Sequence, residues 1–159
     1  MRTALAPVHN THTGQACDNG MLPISRWIPP LMDWFKLNVD GARNHNTGFA
    51  ACGGLIRDHD GRWVRGFARS VGVCSPIEAE LWTVHEGLVQ AWVLGLKRVV
   101  VEIDNTWVLR LLSQHSRVES SMTIVQYISS LLSRDWSIKL VLSFHKSNAV
   151  ADNLINLLF

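Results

Sequence analysis

Along the chain, the spacing of hydrophobic residues changes from the period of a strand to that of a helix and back again. The order of these segments strongly restricts the possible folds. Two strand-like arms, residues 48–58 and 62–72, are joined by Asp60-Gly61, a pair typical of a hairpin turn. Residues 74–96 then have helical spacing, and a β-branched run that ends at Asp104 follows as a buried strand. A hairpin followed by a strand that is reached through a helix predicts one mixed α/β sheet covered by helices.

The remaining segments extend this order at both ends. Apolar and polar residues alternate from Phe35 to Asp40, which predicts a first strand. Two helices are expected within 105–135, a strand within 136–144 and a final helix from 149, so the full order is β-β-β-α-β-α-α-β-α. Residues 1–33 lack any sustained period and are interpreted as a flexible tail or linker before one domain at 34–159.

Bulk properties exclude some classes of protein and leave others open. The formal net charge is +2, with no basic run that would mark a nucleic-acid surface. Apolar stretches are far shorter than the roughly 20 residues of a membrane span, so no membrane partner is expected. The start of the chain lacks the apolar segment of a signal peptide, and Cys17, Cys52 and Cys74 form no disulfide or zinc pattern. We therefore expect an intracellular, reducing compartment, either nucleus or cytoplasm.

The helix within 74–96 has two glutamates with different expected roles. Ser75 is a suitable N-cap, and Glu78 completes a capping box with it. Glu80 points about 200° away from Glu78 on a helix. It shares a side with Val84 and Gly87, where close packing against the sheet is possible. Glu80 is therefore expected to point toward the strand ends.

Four acids could meet at one edge of the predicted sheet. Asp40 and Asp104 each end a strand, Glu80 points toward the strand ends, and Asp152 belongs to the last helix. Converging carboxylates repel one another unless a cation neutralises them or their pKa values rise. Carboxylate oxygens suit Mg²⁺ or Mn²⁺. The alternative is that these acids are caps, turn residues or solvated groups.

Five motifs in order resemble a type 1 ribonuclease H domain. They read "KLNVDGA", "GGLIRDHDGRWVRGF", "IEAELWTVHEGL", "VVVEIDN" and "NAVADNL". The resemblance is to the plant branch derived from non-LTR retroelements, where this domain follows a reverse transcriptase, and it covers residues 34–159. It implies a five-stranded mixed sheet, three antiparallel strands and then parallel additions, flanked by helices.

The resemblance also implies an activity and its catalytic residues. Asp40, Glu80, Asp104 and Asp152 match the family's catalytic acids, which hold two Mg²⁺ ions, with Mn²⁺ possible in their place. The family cuts the RNA strand of an RNA–DNA hybrid and leaves 5′-phosphate and 3′-hydroxyl ends. It distinguishes RNA from DNA largely through the 2′-hydroxyl groups. A monomer is expected, with a former linkage to a reverse transcriptase.

Substrate contacts are implied for residues beside two of the acids. Gly41, Ala42, Arg43 and Asn44 are expected in the turn where this branch meets the RNA backbone, and Asn105 follows the third acid. Asn44 and Asn105 are equally compatible with turn and cap roles.

The sequence differs from the family at two positions near the acids: members commonly have serine where Asn105 stands, and the second position concerns a histidine. Many members have a histidine ten residues before the last aspartate, and here that position is Leu142. His145, a little further on, is either an auxiliary replacement or a solvated loop residue.

His85 is expected at the surface, and the tryptophans of the domain are expected to pack in or near the core rather than to stack on bases. These are Trp63, Trp82, Trp92, Trp107 and Trp136.

Two other functions remain open beside the ribonuclease. A retroelement remnant could keep the fold and bind nucleic acid without useful catalysis. A Trp-rich surface could instead contact a protein partner.

Overall fold

The computed structural model describes residues 27–114, 122–143 and 149–156. Its elements follow the predicted order: β1 (Phe35–Arg43), β2 (Phe49–Arg57), β3 (Trp63–Val73), α1 (Pro76–Val93), β4 (Arg98–Ile103), α2 (Thr106–Ser113), α3 (Thr123–Leu132), β5 (Ser137–Leu142) and α4 (Ala149–Asn156). No helix within the described ranges has the length and apolar character needed to cross a membrane.

The strands form one five-stranded sheet in the order β3-β2-β1-β4-β5. β1 is antiparallel to β2, which is antiparallel to β3. β4 is parallel to β1, and β5 is parallel to β4. The predicted fold class, a mixed sheet with an antiparallel half and a parallel half, is confirmed.

Helix α1 packs closely on the central strand β1. A side chain at Gly87 would place its Cβ 2.7 Å from Leu37 Cδ2 and 3.1 Å from Val39 Cγ1, so only glycine permits this distance. Leu81, Val84 and their helical neighbours are buried against the same strands. The small residue on this side of α1 therefore has the packing role that the sequence predicted.

Helix α4 lies on the opposite face of the sheet, over β1, β2 and β3. A Cβ at Gly53 would lie 2.7 Å from Ile155 Cγ1 and 3.4 Å from the Ala151 carbonyl oxygen. A Cβ at Gly54 would lie 2.7 Å from the Asn38 carbonyl oxygen. The two glycines therefore allow α4 and the neighbouring strands to approach the β2 backbone closely.

The end of β1 differs from the prediction. The strand continues through Arg43, because the ladder with β2 extends from Lys36–Arg57 to Arg43–Ala50. Gly41 and Ala42 therefore lie within a strand and not in a turn. The main-chain bonding of a central strand overrides the local turn preference of Asp-Gly.

Three aromatic or histidine residues also differ from expectation. Trp63 is 61% exposed and Trp107 is 52% exposed, so the prediction that both pack near the core is wrong. Trp63 starts an edge strand, and Trp107 lies on α2, whose buried residues are Val108 and Leu112. His85 is half-buried rather than at the surface, with a ring contact to Trp82.

Part of the segment before β1 packs on the sheet. The Trp27 indole N–H donates to Asn38 Oδ1 at 3.1 Å, and Lys36 Nζ donates to the Ile28 carbonyl oxygen at 2.5 Å. Residues 1–26 lie outside the described part of the chain. The division into a tail of 1–33 and a domain of 34–159 stays a prediction.

Candidate metal and nuclease site

Asp40 lies in β1 at the point where the strand touches the first turns of α1. A Cβ on the next residue, Gly41, would lie 3.0 Å from the Ala79 carbonyl group and 3.0 Å from the Glu80 nitrogen. Glycine here allows the strand and the helix backbone to meet. As a result, Asp40 and Glu80 come from neighbouring backbone segments.

The first turns of α1 are held by a capping box and by a threonine. Glu78 N donates to Ser75 Oγ at 3.2 Å, and Ser75 N donates to Glu78 Oε2 at 2.8 Å. The bond from the Ser75 main-chain nitrogen, followed by the interaction with the Ser75 hydroxyl, lowers the pKa of the Glu78 carboxyl. Thr83 Oγ1 donates to the Asp40 carbonyl oxygen at 3.1 Å and to that of Ala79 at 2.8 Å. The prediction that Glu78 is a cap is confirmed, which leaves Glu80 for the strand ends.

Three of the predicted acids meet at this place. Carboxylate oxygens of Asp40, Glu80 and Asp104 all lie within 4.8 Å of one another, and all three residues are half-buried. Burial, followed by the charges of Asp104 and Asp40, raises the pKa of Glu80 to about 8. Without a cation, a carboxyl here keeps its proton at neutral pH because its ionised form is poorly solvated and repelled.

The donor set of this cluster fits a hard divalent cation. It consists of carboxylate oxygens alone, which suit Mg²⁺ or Mn²⁺ and not zinc. The raised pKa of Glu80, caused by burial and then by the charges of Asp104 and Asp40, is the response expected of a largely buried carboxyl beside two other acids. The residues present therefore fit the ion that the sequence analysis predicted.

Asp152 belongs to α4, and its side chain lies outside the described residues. The backbone of its neighbour Ala151 approaches Gly53, which is paired with Asp40 in the sheet. The first turn of α4 therefore crosses the strands beside the cluster. His145 also lies outside the described residues, and Leu142 is 45% exposed at the end of β5.

Asn44 and Asn105 both use their side-chain oxygens in local structure. Asn44 Oδ1 accepts from the backbone nitrogens of Asn46 and Thr47 at 2.9 and 3.1 Å. Asn105 Oδ1 caps α2 by accepting from the nitrogens of Trp107 and Val108 at 3.0 and 3.1 Å. The turn and cap roles are therefore present, and substrate contact by either residue stays a prediction.

Sequence reasoning missed a polar pair beneath the acids. Asn38 is 1% exposed, and its amide donates to Glu102 Oε2. Glu102 also forms an ion pair with Lys36 at 2.7 Å. Each residue stands two positions before an acid, Asp40 or Asp104, on the same face of its strand, but only the register between β1 and β4 shows that the two side chains meet.

The sheet order and the acid cluster together define a ribonuclease H-like domain. The chain belongs to the reverse transcriptase-like family, whose sequence profile matches residues 38–157. It is 35% identical over 134 residues to the "Putative ribonuclease H protein" of Arabidopsis thaliana. That alignment covers 84% of this chain and 22% of the relative, so the chain spans about a fifth of the relative's length.

Solved structures of ribonucleases H share the fold. RNase H1 from Halobacterium salinarum superposes with a TM-score of 0.66 at 20% identity, over 77% of this chain and 95% of that one. The N-terminal RNase H domain of a Mycobacterium tuberculosis protein gives a TM-score of 0.69 at 22% identity, over 77% and 91%. LC11-RNase H1, solved in complex with an RNA/DNA hybrid, gives 0.65 at 21%, over 77% and 94%.

Proposed function

We propose that this domain is an endoribonuclease that hydrolyses the RNA strand of RNA–DNA hybrids. The observation that supports this most is the cluster that Asp40 of β1, Glu80 of α1 and Asp104 after β4 form in a ribonuclease H-like fold. Family membership agrees with it, and one structural relative, LC11-RNase H1, was solved with an RNA/DNA hybrid.

Asp40, Glu80 and Asp104 would hold the divalent cations, with Asp152 as a fourth ligand from α4. Two Mg²⁺ ions, or Mn²⁺ in their place, suit a site with this many acids. When bound, such ions lower the pKa of water and neutralise charge that develops on phosphate oxygens.

Hydrolysis at this site would break the bond between phosphorus and the 3′ oxygen of the RNA. Water supplies the new oxygen on phosphorus, and its protons go to the 3′ leaving oxygen and to solvent. The products are a 5′-phosphate and a 3′-hydroxyl. Glu80 must lose its proton for the carboxylate to serve as a ligand, because its pKa in the free site is about 8.

Substrate contact is proposed for residues around the first acid and at the start of α2. Gly41 and Ala42 would present the β1 backbone to the RNA. Asn44 and Asn105 use their side-chain oxygens in a turn and a cap, and their amide NH₂ groups would donate to the RNA. The 2′-hydroxyl would be the feature that marks RNA. His145 is proposed as an auxiliary group for proton transfer or product release.

A nucleic-acid-binding module with little catalysis is the second candidate. Leu142 favours it, because this exposed leucine occupies the position where many family members have a histidine. Both candidates predict a monomer with an RNA–DNA hybrid as partner, an intracellular location and a past linkage to a reverse transcriptase.

Acid-to-amide variants separate the two candidates. Asp40→Asn and Asp104→Asn should abolish cleavage of a labelled hybrid and leave its equilibrium binding intact, since each retains the size of the side chain. Asp135→Asn is the matched control, because the Asp135 side chain is fully exposed, outside the acid cluster. Cleavage that survives both site variants would contradict the proposed site, and a wild-type protein that binds without cutting would support the second candidate.

A further inference from the structure

A network of polar side-chain contacts lies on the face of the sheet that α4 covers, next to the acid cluster. The Trp27 indole N–H donates to Asn38 Oδ1 at 3.1 Å, and the Asn38 amide donates to Glu102 Oε2. Lys36 Nζ lies 2.7 Å from Glu102 Oε1. The side chains of Lys36 and Glu102 are 10% and 12% exposed, so this network is largely shielded from water.

This network lies where β1 and β4 leave their common ladder. Their parallel pairing runs from Phe35–Val99 to Asn38–Glu102, which is its final pair. Asp40 and Asp104 follow two residues later on the two strands. The bond from Asn38 to Glu102 therefore joins the strands at the last position before the two acids.

Trp27 completes the network from outside the sheet. Its ring stacks on Arg57, with the guanidinium carbon 4.2 Å from the ring centroid, and it lies over Gly61 in the hairpin turn. Asn38 is 1% exposed, so its amide oxygen needs a donor, and the indole N–H supplies one. With the oxygen satisfied by Trp27, the amide nitrogen faces Glu102.

We propose that Trp27, Asn38 and Glu102 are positioning residues that set the separation of the Asp40 and Asp104 carboxylates. The inference rests on the proposed function insofar as those acids hold the catalytic cations. Trp27 orients the Asn38 amide, and the hydrogen bond from Asn38 to Glu102 links β1 to β4. This link determines the distance between the two strands where Asp40 and Asp104 follow. A segment before the first strand thus belongs to the support of the site.

Trp27→Phe tests this without any change in charge near the cations. Phenylalanine keeps an aromatic ring over Arg57 and lacks the N–H donor. Mn²⁺ affinity, measured by electron paramagnetic resonance on the intact chain, should fall by about 10-fold or more, the usual effect of losing a group that supports a metal ligand. If wild type cleaves the hybrid, the variant should have a lower kcat and an unchanged KM for the hybrid. Trp27 contacts Asn38 and Arg57 and is not among the residues proposed to contact the substrate.

Trp63→Phe is the matched control, since Trp63 is a 61% exposed tryptophan on the same sheet. It should leave Mn²⁺ affinity, kcat and KM unchanged. If Trp27→Phe fails to fold, Trp27 can be replaced by 3-benzothienylalanine, which has the shape of tryptophan with sulfur in place of the N–H. This replacement should give the same loss of Mn²⁺ affinity.

The outcomes distinguish this inference from the proposed function. If Trp27→Phe binds Mn²⁺ more weakly than wild type, and wild type does not cut the hybrid, the positioning role is supported and the ribonuclease is refuted. Unchanged Mn²⁺ affinity and unchanged kcat after loss of the N–H would overturn the positioning role and leave the ribonuclease standing. A wild-type protein that binds no Mn²⁺ would overturn the inference as well.

Discussion

Beside its proposed role as a metal ligand, Glu80 carries a cost in stability. Its folded-state pKa is raised to about 8 from 4.5, mainly by burial. As pH rises from 4.5 to about 8, the unfolded chain releases this proton and the metal-free folded chain retains it. The folded state is therefore progressively disfavoured over that range, and this cost is absent below pH 4.5.

Glu80→Gln should stabilise the metal-free protein at neutral pH and abolish cleavage. We expect the free energy of unfolding in EDTA to rise by roughly 2 kcal/mol near neutral pH and to change little in acid. Chemical denaturation at the two pH values measures this. Glu78→Gln is the control on the same helix, since glutamine preserves the capping box. Equal stability of Glu80→Gln and wild type at neutral pH would contradict the account of the site.

Gly41→Ala should weaken both stability and cleavage, because its Cβ would lie 3.0 Å from main-chain atoms of Ala79 and Glu80. The helix would have to move away from β1, which costs about 1–3 kcal/mol for this kind of overpacking. Gly66→Ala is the control, as its nearest contact would be an ordinary 3.5 Å from Leu154 Cδ1. Urea unfolding and hybrid cleavage measure the two effects, and an alanine variant with wild-type stability would refute the close-packing argument.

At the scale of elements, the N-terminus of α2 allows cap and substrate roles to be separated. Asn105→Ala should lower the free energy of unfolding by about 1 kcal/mol through loss of the cap, and Asn105→Ser should retain the cap. Both variants remove the amide donor, so both should raise KM for the hybrid. Thermal unfolding and steady-state cleavage measure these effects. An unchanged KM in the serine variant would mean that Asn105 acts as a cap alone.

Elements whose signals are local could be predicted from the sequence. Ser75, Pro76 and Glu78 mark the start of α1 within four residues, and the structure confirms the capping box. The end of β1 could not be predicted in this way. Gly41 continues the strand because it pairs with Cys52, and that partner lies on a different strand whose register is set by the whole sheet.

The candidate site likewise has parts that local sequence signals predict and parts that depend on pairing between strands. The predicted strand and helix positions indicated that Asp40, Glu80 and Asp104 could meet, with cap and turn roles as the alternative, and the structure brings the three together. Asn38 and Glu102 were missed because their pairing depends on the register between β1 and β4, which sequence periodicity does not give. Trp63 and Trp107 were misassigned because composition does not reveal which face of an element lacks a covering partner.

At the scale of the whole molecule, the docking of Trp27 predicts that the folded unit extends to residues before β1. Two truncated chains are compared, one without residues 1–26 and one without residues 1–33. The free energy of unfolding of the shorter chain should be lower than that of the longer one by about 2 kcal/mol, because the stacking on Arg57 and the bond to Asn38 are lost. Urea denaturation of the two truncated chains measures the difference, and equal stabilities would place the start of the folded unit at β1.

The central claim is that the acid cluster supports metal-dependent cutting of RNA in a hybrid. The most direct measurement is cleavage of an RNA–DNA hybrid labelled on either strand, with Mg²⁺, with Mn²⁺ and with EDTA, beside Asp104→Asn. We predict cutting of the RNA strand alone, present with either ion, absent in EDTA and lost in the variant. An intact hybrid at high concentrations of folded protein, with both ions supplied, would contradict the claim.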